Sequence, residues 1–106
     1  MGRGRERAPL EALTYSIAIR PKALELIKEQ APKHQKQIRK KIDSLEHEPR
    51  PPNAKKLEGS DGLWRVRTGD FRIVYTIEDE ELLVVIVTVG NRKDIYDGLR
   101  RAGLID

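Results

Sequence analysis

The sequence contains no cysteine, which excludes a disulfide framework and a thiolate metal site and agrees with a reducing compartment. It has no apolar run long enough to span a bilayer. Its first residues, Met1 to Leu13, are charged and have no apolar core, so they do not read as a secretory signal. The expectation is a cytoplasmic protein without a membrane partner. No internal repeat or low-complexity region is present. At 106 residues the chain suits one domain with a single modest core.

Charge is plentiful. The net charge is +4 and the isoelectric point near 9.5. Four consecutive acids, Glu78-Asp79-Glu80-Glu81, sit in one place; without those four negative charges the +4 becomes +8 for the rest of the chain. Lysine and arginine spread through the predicted helices and strands imply a polyanionic partner, RNA or DNA. A merely solvated basic surface is the alternative that charge alone leaves open.

The pattern of apolar residues predicts an α+β domain. Residues 1–13 are rich in Arg and Gly with little periodicity and read as a mobile basic arm, leaving 14–106 as the domain. Thr14 to Ile19 alternates as a strand does. Pro21 suits the first turn of a helix running to about Gln30, with Leu24 and Ile27 inward. A second helix runs from Pro32 to about Glu48, its stripe formed by Ile38, Ile42 and Leu45, and Pro49, Pro51 and Pro52 end it. Three strands follow, Leu63 to Thr68, Phe71 to Ile77 and Leu82 to Val89, the last apolar on both faces as a covered central strand is. The acids 78–81 form the turn before it. Gly90 then breaks the sheet and Arg92 to Arg101 makes a short last helix. The expected architecture is an N-terminal strand and a two-helix hairpin packed on a four-stranded, antiparallel-dominated sheet, with a short C-terminal helix.

The segment from Trp64 to Tyr75 (WRVRTGDFRIVY) is the most informative. Gly69-Asp70 reads as a two-residue type II′ hairpin turn, which takes glycine first. That turn pairs Thr68 with Phe71, Arg67 with Arg72, Val66 with Ile73, Arg65 with Val74 and Trp64 with Tyr75. Trp64, Val66, Phe71, Ile73 and Tyr75 then share a core face, while Arg65, Arg67 and Arg72 share the other. Like charges directly across a sheet are destabilising. An anion visiting the site resolves the conflict, since guanidinium forks match phosphate oxygens. Against this, a solvated face screens such repulsion, and a three-residue loop would shift parity and remove Arg72 from the group.

A second constellation is Val89 to Tyr96 (VGNRKDIY). Arg92 leaves the central strand, and Tyr96 follows one helical turn later. Either these reach toward the arginine face, or Tyr96 plugs the core and Arg92 is a surface residue. His34 and His47 read as helix-surface residues. The acids 78–81 read as a solvated turn rather than a metal site. Lys33, Lys36, Lys40 and Lys41 lie on the face of the second helix opposite its apolar stripe. Lys55-Lys56 either touch an RNA backbone or keep a loop soluble.

From about Tyr15 to Leu99 the chain resembles the RelE/ParE toxin superfamily. The resemblance is carried by Lys56-Leu57-Glu58-Gly59, Leu63 to Arg67, Gly69 to Tyr75 and Val89 to Tyr96, in this order and spacing. It implies a RelE-type toxin of a toxin–antitoxin pair, an endoribonuclease that cuts messenger RNA in the ribosomal A site. The implied chemistry is attack of a ribose 2′-OH on the adjacent phosphate without metal or cofactor. It places Arg65, Arg67, Arg72, Arg92 and Tyr96 in the catalytic site, with Arg72 and Arg92 gripping phosphate. The Lys33/Lys36/Lys40/Lys41 face and Lys55 and Lys56 are the expected contacts to RNA on the ribosome. The implied partners are a cognate antitoxin, messenger and ribosomal RNA, and operator DNA only through the antitoxin complex. Many relatives carry lysine in the basic strand pair and histidine before the arginine after Val-Gly; here Arg65, Arg67 and Asn91 stand there. Arginine stays protonated in proteins, so the proton acceptor does not follow from the resemblance. A ParE-like gyrase inhibitor and a catalytically silent, operator-binding relative are the competing readings.

Overall fold

In a computed structural model of the chain, residues 14–106 are described; the N-terminal arm expected at residues 1–13 lies outside them. The elements in chain order are β1 (Ser16–Ile19), α1 (Pro21–Lys28), α2 (Pro32–Ser44), β2 (Lys55–Lys56) and β3 (Trp64–Thr68). They continue with β4 (Phe71–Glu78), a 3₁₀ turn (Asp79–Glu81), β5 (Leu83–Asn91) and α3 (Arg92–Arg101). The fold is the expected α+β arrangement. The sheet has five strands, not four, in the order β1-β5-β4-β3-β2. The strand that sequence periodicity misses is β2, two residues long and paired to the outer edge of β3; two residues carry no alternation to read.

Only β1 pairs in parallel, with β5, and the β3–β4 and β4–β5 ladders are antiparallel. The α1–α2 hairpin leads from β1 to β2 at the opposite edge of the sheet and covers one sheet face. Proline begins both helices, at Pro21 and Pro32, where its missing N–H would find no intrahelical acceptor anyway. Both helices end sooner than expected, at Lys28 and Ser44. Ala23 and Ile27 are the buried residues of α1, whereas Leu24 is only half-buried.

The main core joins Ala23 and Ile27 of α1 with Ile38 and Ile42 of α2, Leu45, and the sheet residues Val66, Phe71, Ile73, Tyr75, Val84, Ile86 and Val89. A smaller cluster on the opposite face joins Leu63, Val74 and Val87 with Ile95 and Leu99 of α3. Strands β4 and β5 are therefore covered on both faces along part of their length, which explains their near-continuous apolar sequences. A bulge separates the two registers of β5: Val74 pairs with Thr88 but Tyr75 with Ile86, leaving Val87 unpaired. Upstream of it Val84 and Ile86 enter the main core; downstream Val89 does. Gly90 does not break the sheet, as the sequence reading had it. It stays in β5 opposite Arg72, and β5 runs on to Asn91.

At the far end of β4, Asp79 accepts hydrogen bonds from Tyr15 Oη (2.7 Å) and from Arg50 Nη1 (3.1 Å) and Nη2 (2.8 Å). The Arg50 guanidinium lies 5.3 Å from the Trp64 ring centroid. Tyr75 Oη donates to the carbonyl of Pro49 (2.7 Å). These contacts tie the loop after α2 to the β4–β5 turn and to the start of β1.

A candidate anion groove on the arginine face

The β3–β4 hairpin turns at Gly69-Asp70 with φ of +60° at Gly69 and no positive φ at Asp70, as a type II′ turn requires. Its register matches the sequence reading at all five pairs, Arg67 opposite Arg72 and Arg65 opposite Val74 among them. Arg65, Arg67 and Arg72 therefore project from the sheet face opposite the main core. Edge strand β2 extends the row, because Lys55 pairs with Arg65. Lys56 pairs with Trp64 and so belongs to the other face.

Arg72 is the only charged side chain among the buried residues of the described chain, 8 % exposed. Burial lowers its pKa, and Arg65, Arg67 and Arg92 lower it further by like-charge repulsion, while Tyr96 acts the other way. The guanidinium still remains protonated at physiological pH. Among the described residues no carboxylate forms a salt bridge with it. A buried cation surrounded by cations is unfavourable for the isolated fold. An anion within reach of the guanidinium would offset that cost.

The space for that anion is a groove of about 450 Å³ lined by Arg67, Gly69, Asp70, Arg72, Asn91, Arg92 and Lys93. Two strand ends and a helix start build it. Helix α3 begins at Arg92 immediately after β5, and its cap residue Asn91 makes no side-chain capping bond. The unpaired N–H groups and the positive end of the helix dipole thus add to the field of the side chains.

The structure brings Arg67, Arg72 and Arg92 together in the groove. Arg65 and Tyr96 stand close enough to Arg72 to act on its charge but do not line the groove. Tyr96 is half-buried and packs on the smaller apolar cluster. Two groove residues with charged side chains, Asp70 and Lys93, were absent from the sequence-derived site. Lys93 was signalled by its place beside Arg92 at a helix start. Asp70 was assigned only a turn role. Lys33, Lys36 and Lys40 are exposed and Lys41 half-buried on α2, outside the groove. His47 is exposed, whereas His34 is half-buried with its ring edge-on to Phe71, centroids 5.1 Å apart. Among the described residues no three His, Cys, Asp or Glu side chains converge as metal ligands, and no helix is long and apolar enough to cross a membrane.

Residues 16–96 match the family described as the ParE toxin of the type II toxin–antitoxin system parDE. The chain is 32% identical over 89 residues to a RelE-like toxin protein of Escherichia coli, covering 80% of this chain and 93% of that one. Among solved structures it is similar to the RelE–RelB complex of Pyrococcus horikoshii OT3, at 27% identity and a TM-score of 0.66, over 74% of this chain and 96% of that one. It is also similar to the RelBE2 complex of Mycobacterium tuberculosis, at 25% identity and a TM-score of 0.69, over 76% and 94% of the two chains. The arginine hairpin, the helix start beside it and these likenesses lead to one assignment: the chain belongs to the ParE toxin family of type II toxin–antitoxin systems, within the RelE/ParE toxin superfamily.

Proposed function

We propose that this toxin is a ribosome-dependent endoribonuclease that cleaves messenger RNA in the A site and so stops translation. The observation that carries the reading is the buried Arg72, ringed by Arg65, Arg67 and Arg92 and unpaired with any carboxylate among the described residues. A phosphodiester is the anion that fits a groove of forked cations, and the excess charge of a phosphorane fits it better than the substrate does. Arg72 and Arg92 hold the scissile phosphate, Arg67 and Arg65 neutralise developing charge, and Tyr96 orients the nucleotide beside them. The 2′-oxygen attacks in line, leaving a 2′,3′-cyclic phosphate and a 5′-OH, and positioning supplies much of the acceleration.

Lys33, Lys36, Lys40 and Lys41 on α2 contact ribosomal RNA in this reading, while Lys55 extends the arginine face toward the next phosphate. A cognate antitoxin is the protein partner, supported by the relatives solved together with RelB; operator DNA is reached only through that complex. The chemistry calls for neither metal nor cofactor, and the toxin acts in the cytoplasm.

The match to a family named for ParE supports a second reading, a gyrase inhibitor that binds protein and cuts no RNA. One experiment separates them. Primer extension on a defined message in a purified translation system should show discrete cuts with the wild-type chain, and none with Arg72→Ala or Arg92→Ala. Both variants should keep the folded circular-dichroism spectrum and antitoxin binding and should lose growth arrest. An intact message accompanied by gyrase-dependent DNA breaks would establish the second reading.

A further inference from the structure

The groove presents a proton-transfer problem. Of its side chains, three are guanidiniums, which keep their protons, one is an ammonium and one an amide. The remaining functional group is the carboxylate of Asp70, which is exposed and forms no salt bridge among the described residues. The fold does not require a carboxylate at this position. A type II′ turn with glycine first accepts Asn or Ser in second place as readily as Asp. In a groove that holds an anion, a negative charge on the rim also works against binding. A residue that the fold does not need and that opposes binding is explained by a role in chemistry.

We propose that Asp70 is the general base that removes the proton from the ribose 2′-OH, an assignment that rests on the ribonuclease reading above. Asp70 accepts the 2′-OH proton as the 2′-oxygen forms its bond to phosphorus. The P–O5′ bond then breaks and its electron pair leaves with O5′. Water protonates O5′, and the hydroxide so formed takes the proton from Asp70, restoring the carboxylate. The net products are a 2′,3′-cyclic phosphate end and a 5′-OH end, with no co-reactant consumed. Asp70 sits at the hairpin tip, between Arg67 and Arg72 in sequence, and lines the same groove as both.

The test is single-turnover cleavage of message on programmed ribosomes, with affinity measured in parallel, for the wild-type chain, Asp70→Asn and Asp70→Glu. Asparagine preserves the turn and removes the base. General-base catalysis contributes roughly 10²–10⁴-fold, so Asp70→Asn should slow the cleavage step by about 100-fold or more. The same variant should bind programmed ribosomes as tightly as wild type or more tightly, because a negative charge has left the groove. Asp70→Glu should recover part of the rate. Faster or unchanged cleavage by Asp70→Asn would overturn the assignment and leave Asp70 as a turn residue. A parallel fall in affinity and rate would overturn it as well, since that is the mark of a structural role. If the wild-type chain itself makes no cut, the ribonuclease reading fails and the base assignment falls with it.

Discussion

At Arg72 a charge that disfavours the isolated fold sits where the proposed function would use it. It is buried, it faces Arg67 directly across the ladder, and Gly90 is its partner on the other side. Among the described residues no carboxylate pairs with it, so the free toxin bears like-charge repulsion from Arg65, Arg67 and Arg92 that a bound anion would relieve. Replacing the exposed member of the pair tests this. Arg67→Thr should raise stability by about 0.2–1 kcal/mol, the scale of a cross-strand pair, while weakening cleavage. A denaturant melt reads the first effect and primer extension the second. A loss of stability would mean that the arginine pair is not in conflict. The turn at Gly69 was legible because glycine first in a two-residue loop has few alternatives. Asp70 was legible as a turn residue only: a sequence shows that it occupies the tip but not which groove the tip overhangs.

The elements divide between the arginine hairpin and the clamp at the opposite end of β4. Asp79 is held by Arg50 first and by Tyr15 second, and its carboxyl pKa falls to about 2 from an ordinary value of 3.8. A carboxyl whose folded pKa lies below its unfolded one contributes stability that is whole above the unfolded value and is lost as pH falls toward the folded one. The clamp should therefore weaken between about pH 4 and pH 2. Asp79→Asn should flatten the stability profile across that window, as followed by thermal melts, without altering RNA cleavage at neutral pH. Tyr75 gives the alkaline counterpart: burial pushes its phenol up to about 12 from 10.0. Its contribution is complete below pH 10 and disappears as pH rises toward 12.

Helix α2 turns its basic residues to the outward side. Ile38 and Ile42 anchor it to the sheet, while Lys33, Lys36 and Lys40 are exposed. Charge reversal at Lys33, Lys36, Lys40 and Lys41 should leave the melting temperature within a few degrees of wild type and reduce ribosome-dependent cleavage at least several-fold. Unchanged cleavage would remove α2 from the ribosome contact.

At the scale of the whole molecule, charge is separated along β4. Seven residues at about 3.3 Å each put Asp79 and its acidic neighbours roughly 23 Å from Arg72. That is well beyond the Debye length of about 8 Å at physiological salt, so the acidic turn does not neutralise the groove. A polyanion therefore meets the basic end first. Binding to programmed ribosomes should weaken steeply with salt, by roughly −0.7 in the log–log slope for each single-strand phosphate neutralised. Titration of affinity against potassium chloride measures it, and a flat response would make the basic surface irrelevant to binding.

The sequence by itself determined whatever depends on neighbours along the chain: the hairpin register, the core face from Trp64 to Tyr75, the proline starts of both helices and the bounds of α3. These follow from local periodicity and turn chemistry, whose range is a few residues. It missed β2 and the continuation of β5 through Gly90, because each is fixed by a partner strand elsewhere in the chain. Lys55 and Lys56 are a strand only through β3, and Gly90 stays in the sheet because Arg72 pairs with it. The groove was decided by tertiary structure alone. The hairpin tip and the start of α3 come from separate segments, and only the β4–β5 ladder sets Arg92 and Lys93 beside Arg67, Asp70 and Arg72.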